Sequence, residues 1–258
     1  MRQFFVVWNL GLALALLGGM LALQVYGRRL AQRMEPGSED GRDARTAQAA
    51  VFGLLGLLLA FTFSGALQRF DDRRHLVVEE TNAIGTAWYR IDLLPSARQA
   101  EMRNLFRQYM DTRLQTYRSV TDEAATNVSL AKAEQLQRQI WAVAIAGADE
   151  TGKIAAYTVL LPALNEMFDI TTTRVGATQM HPPAVVYGMI LVLAAVGAVF
   201  SGYGLGAAQQ RSWVHRLAFP LAMAAALFVI IDMEYPRLGL IRMDAMDYLM
   251  ADLRKMMG

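Results

Sequence analysis

The feature that most constrains this chain is the gathering of its apolar residues into four long blocks, two toward each end, with the charges crowded between them. The blocks cover about residues 4–26, 47–67, 184–207 and 213–231. At about 1.5 Å of rise per residue, each is long enough to cross roughly 30 Å of hydrocarbon as a helix. The chain is 54% hydrophobic and 19% charged, whereas a soluble domain carries charge on about a quarter of its residues. Apolar content concentrated in this way predicts an all-α integral membrane protein, four transmembrane helices in two pairs flanking a helical extramembrane region. The bilayer is its first partner. The first block exceeds the core of a secretory signal and lacks a small-residue cleavage site before Arg28 and Arg29, so it reads as a retained span.

The expected organisation is a first helix pair in residues 1–67, a helical middle in 68–181, a second pair in 182–231 and an amphipathic tail in 232–258. In the second block Ala49, Gly53, Gly56, Ala60 and Ser64 recur every three or four positions. They form one stripe, on which helix backbones can approach closely in lipid. Gly188, Ala195, Gly202 and Gly206 make a similar stripe in the third block, which follows His181-Pro182-Pro183. Pro220 predicts a kink in the fourth.

The middle is polar with helical periodicity and no alternating stretch. Residues 70–94 follow the second span without a breaker, which predicts one rod of roughly 70 Å by helix geometry. It should end at Pro95, since the residue before a proline is pushed out of helical geometry. Ser96 and Gln99 have the spacing of a capping box, and Met102, Leu105, Phe106, Tyr109, Met110 and Leu114 continue a helix to about Tyr117. Two further helices are expected over 130–148 and 153–168. The apolar runs at 140–148 and 154–164 are too short to span.

Polar candidates each have a plain alternative. His75, His181 and His215 lie in separate segments without the i, i+4 pairing of a helical metal site, so no metal is expected. Glu79, Glu80 and Asp92 share a helix with Arg73, Arg74 and Arg90, and opposite charges at helical spacing predict a solvated or inter-subunit ion-pair face. Asn9 and Gln24 sit in the first span, where polar groups hydrogen-bond to another helix or face a wet cavity. His215 and Arg216 can snorkel to the membrane surface, or Arg216 can hold an anion with its fork of donors. Zero cysteines exclude disulfides, thiolate catalysis and cysteine-bound metals. A net charge of +2 without a basic run gives no nucleic-acid surface. No phosphate loop, nucleophile elbow or triad is present; the chain reads as a non-enzyme without a cofactor.

Two stretches resemble a known family. Val78-Glu79-Glu80-Thr81-Asn82-Ala83-Ile84, leading to Trp88-Tyr89-Arg90, is similar to a helix of the bestrophin-like bacterial membrane proteins. Asp232-Met233-Glu234-Tyr235-Pro236-Arg237-Leu238-Gly239 is similar to the segment after that family's last span. The resemblance marks Glu79, Asn82, Tyr89, Arg90, Asp232, Glu234, Pro236 and Gly239 as motif residues, and the order of spans matches along essentially the whole chain. Residues 44–48 depart from the polar opening that the family's second span often has. The resemblance implies relation to the true bestrophins, pentameric anion channels whose pore is lined by aromatics of the second span. Phe52, Phe61 and Phe63 do not share one face here.

The leading expectation is therefore a homo-oligomeric channel or pore for anions or small solutes in a bacterial inner membrane. Its path would run along the second helix past Phe52, Gly53, Gly56, Ala60, Phe63 and Ser64 to a basic mouth at Arg69, Arg73 and Arg74, which favours an inorganic anion. Asp71 and Asp72 beside that mouth oppose the field. The alternative is a non-transporting scaffold or sensor whose helical middle binds a protein. Arg28, Arg29, Arg33, Arg42 and Arg45 in the first loop and Arg211 in the third–fourth loop place those loops in the cytoplasm and the middle in the periplasm. Analogy with bestrophins implies the reverse, and the charge argument is preferred.

Overall fold

The computed structural model of the protein describes residues 2–33, 40–206 and 213–258. Arg211, Ala207 and the side chains of Arg42, Ala44, Arg45 and His215, on which parts of the sequence reading rest, lie outside the described residues. The chain is 89% helical, with no strand among the described residues. Among the described residues eight α-helices follow in order: α1 (Arg2–Ala31), α2 (Asp40–Arg90), α3 (Ser96–Arg118), α4 (Glu123–Thr151), α5 (Leu161–Gln179), α6 (Ala184–Gly206), α7 (Trp213–Glu234) and α8 (Asp247–Met256). Four helical stretches among the described residues are long and apolar enough to cross a membrane. This is a multi-pass membrane protein.

The chain divides into two compact units, residues 2–69 with 181–241 and residues 70–180 with 242–258. In the first, the membrane unit, α1 packs most extensively on α6 and then on α7. Glycine makes the α1–α6 approach possible. A Cβ on Gly27 would lie 2.0 Å from the Val199 carbonyl oxygen, and one on Gly202 would lie 2.0 Å from that of Gln24. The two main chains therefore touch, which lipid-embedded helices need because burial from water does not drive them together. Amides add to this: Asn9 donates from Nδ2 to the Phe228 carbonyl (3.3 Å) and Gln24 from Nε2 to Ser201 Oγ (3.2 Å). Both serve as helix–helix hydrogen bonds. The α2 part of this unit joins through side chains, Leu55 in a cluster with Met20, Ile190 and Ala194, and Phe52 edge-on to Phe219 at 4.7 Å. α7 runs through Pro220 without interruption.

The second, middle unit has an apolar core of Ile84, Trp88, Met102, Phe106, Ile140, Leu160 and Met167. α2 ends at Arg90, earlier than expected. Its last turn tightens to a 3₁₀ turn over Ile91–Leu93, and Leu94 is extended (φ −81°, ψ 157°) as the proline after it requires. α3 starts at Ser96 as expected, but no capping box forms. Ser96 is the first helical residue, with Pro95 at the cap, and Gln99 instead donates to the Leu94 carbonyl at 2.9 Å. α4 is longer than expected because Asp122 caps it, accepting from the Ala125 N–H at 3.0 Å, and Gly152 closes it in the left-handed conformation (φ 59°). Where one helix was expected over 153–168, the chain makes a π turn at Ala156–Leu160 before α5. Pro162 accounts for it: with no N–H and a ring that crowds the carbonyl four residues back, it widens the preceding turn. α8 buries Met250 and Leu253 in this unit, with Leu253 against Gly85 of α2, and Met257 just after the helix is buried too.

Candidate functional site

The stripe of small residues on α2 is uncovered among the described residues. Gly53, Gly56, Ala60 and Ser64 are all exposed, and a Cβ on either glycine would meet nothing within 4 Å. Leu55, Thr62 and Ala66, on the other side of the helix, are buried. Among the described residues Gly53 and Gly56 have no close neighbour, and the close approach of main chains falls at Gly27 and Gly202. Phe63 is exposed (41%) beside the stripe, whereas Phe52 turns inward against Phe219.

The three arginines of the expected mouth all have partners. Arg69 grips Glu234, Nη2 to Oε1 at 2.5 Å and Nε to the same oxygen at 3.0 Å. Arg73 is buried and donates to the carbonyls of Ala177 (3.0 Å) and Met180 (2.9 Å). Arg74 is exposed and pairs with Asp71 at 3.1 Å. Each of the three guanidiniums thus has an acceptor within its own unit.

The motif after α7 is a self-contained knot in the membrane unit. The buried Asp232 carboxylate accepts from the main-chain N–H of Leu240 (2.8 Å) and Ile241 (2.6 Å), folding the chain back over the end of α7. Gly239 is required there, since a Cβ would lie 2.5 Å from Asp232 Oδ1. Glu234 is buried too and takes His181 Nδ1 at 3.2 Å as well as Arg69. Tyr235 stacks on His181 at 4.8 Å and meets Phe5 at 5.1 Å, while Pro236 sits within the turn. The sequence offered this segment only as a likeness; its physical content is one carboxylate closing a loop and another joining α2 to the α5–α6 link.

The earlier motif separates in the middle unit. Glu79, Asn82 and Tyr89 are exposed, Tyr89 by 67%, and Arg90 donates to the Val159 carbonyl inside the π turn at 2.9 Å. Glu80 does the opposite of what was expected. It belongs to no solvated ion-pair face on its own helix but is fully buried, with Arg113 Nε donating to Oε1 (2.6 Å) and Tyr117 Oη donating to Oε2 (2.6 Å), the oxygen that Arg174 also holds. Arg174 lies over the Tyr117 ring at 4.0 Å. Burial alone would push the Glu80 carboxyl up; the Arg113 and Arg174 charges, with the hydrogen bonds from Arg113 and Tyr117, outweigh it and hold the carboxyl below its ordinary value. Burial, reinforced by the Glu80 charge, pushes the Tyr117 phenol up, so it stays a donor. Sequence spacing missed this cluster because its partners come from α3 and α5. Asp92 is also paired off its helix, with Arg103 at 2.5 Å.

Among the described residues no three His, Asp or Glu side chains gather as a metal site would need. The family model for the bestrophin-like domain matches residues 10–244, a stretch that takes in the Glu80 helix and the knot at Asp232–Gly239. The chain belongs to the bestrophin-like family. No curated protein and no solved structure matches it. Membership places this multi-pass protein in a channel-like family, and both motifs fall inside the matched region.

Proposed function

We propose that this bestrophin-like protein is a homo-oligomeric membrane channel or pore for small ions or solutes, with α2 of each copy facing the shared axis. The observation that carries the reading is the uncovered stripe Gly53, Gly56, Ala60 and Ser64. Single-pass burial in lipid rewards large apolar side chains, as at the flanking Leu54, Leu57 and Phe61; a lane of glycine, alanine and serine instead suits a neighbouring backbone or a wet path. A small protein encloses a path by symmetric assembly. Within the middle unit, Asp72, His75, Glu79 and Asn82 of α2 are exposed at the same three- and four-residue spacing. The support lies with the small-residue lane, and a preference for an inorganic anion at Arg69, Arg73 and Arg74 belongs to the same proposal.

The chain has no cysteine, so single replacements at positions 53, 56, 60 and 64 report cleanly. Reconstituted in liposomes, the protein should pass potassium or chloride. A charged thiol reagent should block that flux at two or more of these positions, and oxidation should give a dimer on gels. A protein that passes no ion or small solute under any pH, voltage or calcium condition, and gives no cross-link, would sink the reading. The same cysteine approach, with membrane-impermeant reagents at position 128 or 154, tests the proposed periplasmic side of the middle unit.

The second reading, a scaffold or sensor that binds a protein through its helical middle, has one observation in its favour: Val128 (70%) and Ile154 (77%) leave large apolar surface exposed in that unit. Co-purification of a partner that depends on both side chains, with no flux, would favour it.

A further inference from the structure

The membrane unit contains a groove of about 330 Å³ between α1, α6 and α7, at the lower end of the roughly 300–1,000 Å³ range of small-molecule sites. Trp8 and Leu12 of α1, Leu191 of α6 and Phe228 of α7 give it apolar walls, and His181 and Tyr187 stand at its end near the start of α6. Trp8 (54%), Leu12 (41%) and Leu191 (45%) are exposed, so the groove opens sideways where the hydrocarbon of the bilayer would lie. Asn9 lines it as well. This side chain is wholly buried, its Nδ2 is committed to the Phe228 carbonyl, and its Oδ1 has no hydrogen-bond partner.

An orphaned acceptor in an apolar wall is costly, and proteins rarely leave one without a donor. Water is a poor candidate to satisfy it, since a buried water needs two to four polar partners and the surroundings of Asn9 are mostly hydrocarbon. A molecule with an alkyl body and a single hydroxyl meets both demands: the chain fills the slot between Leu12 and Leu191, and the hydroxyl donates to Asn9 Oδ1. We propose that this groove is a binding site for a single-chain amphipath of the bilayer, an alkyl chain carrying a hydroxyl donor, recognised by Asn9. The site is independent of any path along α2.

The test uses the full chain in phosphatidylcholine vesicles, whose headgroup has no hydroxyl, and reads tryptophan fluorescence. 11-Bromoundecanol should quench saturably, with the saturable part absent in Trp8→Phe, while 1-bromoundecane should quench only in proportion to its partitioning. Asn9→Leu should make the alcohol behave like the alkane. Leu12→Trp, which fills the slot without touching Asn9, should remove saturation by occlusion and decides the matter if Asn9→Leu fails to fold. Competition by added lysophosphatidylglycerol would identify the source of the hydroxyl as a single-chain lipid headgroup; absence of competition would identify it as a free alcohol. Equal quenching by alcohol and alkane in the unaltered protein, or saturation that survives both substitutions, would overturn the proposal and leave ordinary annular lipid. Flux is not the readout, so the outcome stands whether or not the protein conducts.

Discussion

In the membrane unit helices meet main chain to main chain, at Gly27 against Val199 and at Gly202 against Gln24. In the middle unit they meet around a buried carboxylate and two buried guanidiniums, Glu80 with Arg113 and Arg174. Each chemistry suits its solvent. Lipid gives apolar side chains no reason to leave it, so association there depends on shape and on hydrogen bonds such as those of Asn9 and Gln24. Water gives a large apolar core, and that core can offset the cost of taking charges out of solvent. The Glu80 cluster also carries one more positive than negative group, which the Tyr117 face beneath Arg174 and Arg113 helps to absorb. A charge cluster placed at Gly202 would find no such core, and a glycine contact placed at Glu80 would tie fewer helices.

The strongest way to break this contrast is Glu80→Ala. It leaves Arg113 and Arg174 buried without their counter-charge, and removing one partner of a buried ion pair costs about 3–5 kcal/mol. Thermal melting of the purified protein, followed by the fluorescence of Trp88 and Trp141 in the middle unit, should show the loss. A loss below about 1 kcal/mol, the size of an exposed pair, would mean that the apolar core alone holds the unit. The acid side gives a second check. The folded Glu80 carboxyl lies below its ordinary value of 4.5, so its stabilisation is fully present above that pH and is lost as pH falls through the lower folded value. Glu80→Gln should flatten that part of the stability–pH profile, and a profile identical to the unaltered protein's would count against the assignment.

Asp232→Ala should come next, at about 1.5–3 kcal/mol for hydrogen bonds to a charged group, because Leu240 and Ile241 lose their acceptor. Asp232→Asn should recover only part of this, since its amide turns one donor toward donors. Limited proteolysis after Arg237 or Arg242 reads the opened loop directly. Gly202→Val sharpens the membrane side of the contrast. The new side chain meets the Gln24 main chain, which cannot give way as a flexible side chain could, and overpacking costs about 1–3 kcal/mol. A melt unchanged by Gly202→Val would show that α1 and α6 need no backbone contact.

What the sequence made legible follows the same division. The four apolar blocks, the end of α2 before Pro95 and the start of α3 rest on local physics, span length and proline sterics, and could be read in one dimension. Asp122 and Gly152 were equally local signals for the ends of α4, and reading the apolar stretch alone cut that helix short. The π turn follows from Pro162 and was missed because the periodicity across it still looks helical. The site was harder. Glu80 and Glu79 are adjacent and chemically alike, and which of them faces the core depends on Arg113 and Arg174, 33 and 94 residues away. The partners of Arg69 and Arg73 were equally out of reach, since Glu234, Ala177 and Met180 lie 165, 104 and 107 residues away.

The smallest expected effect separates folding from assembly. Asn82 and Tyr89 belong to the recurring motif yet stand exposed, beside an open cleft of about 460 Å³ between α2 and α8. Exposed substitutions away from special features change stability by about 0.5 kcal/mol or less, so Asn82→Ala and Tyr89→Ala should leave the melt of the middle unit where it is. If α2 faces other copies, the same substitutions should weaken cross-linking from a cysteine at position 64 or shift the mass measured in detergent by light scattering. Glu80→Ala would do the reverse of this pair, lowering the melt first. A melt lowered by Tyr89→Ala as much as by Glu80→Ala would mean that the exposed motif residues serve the fold, and the distinction between a buried ion cluster that holds the unit and a surface lane left for partners would fail.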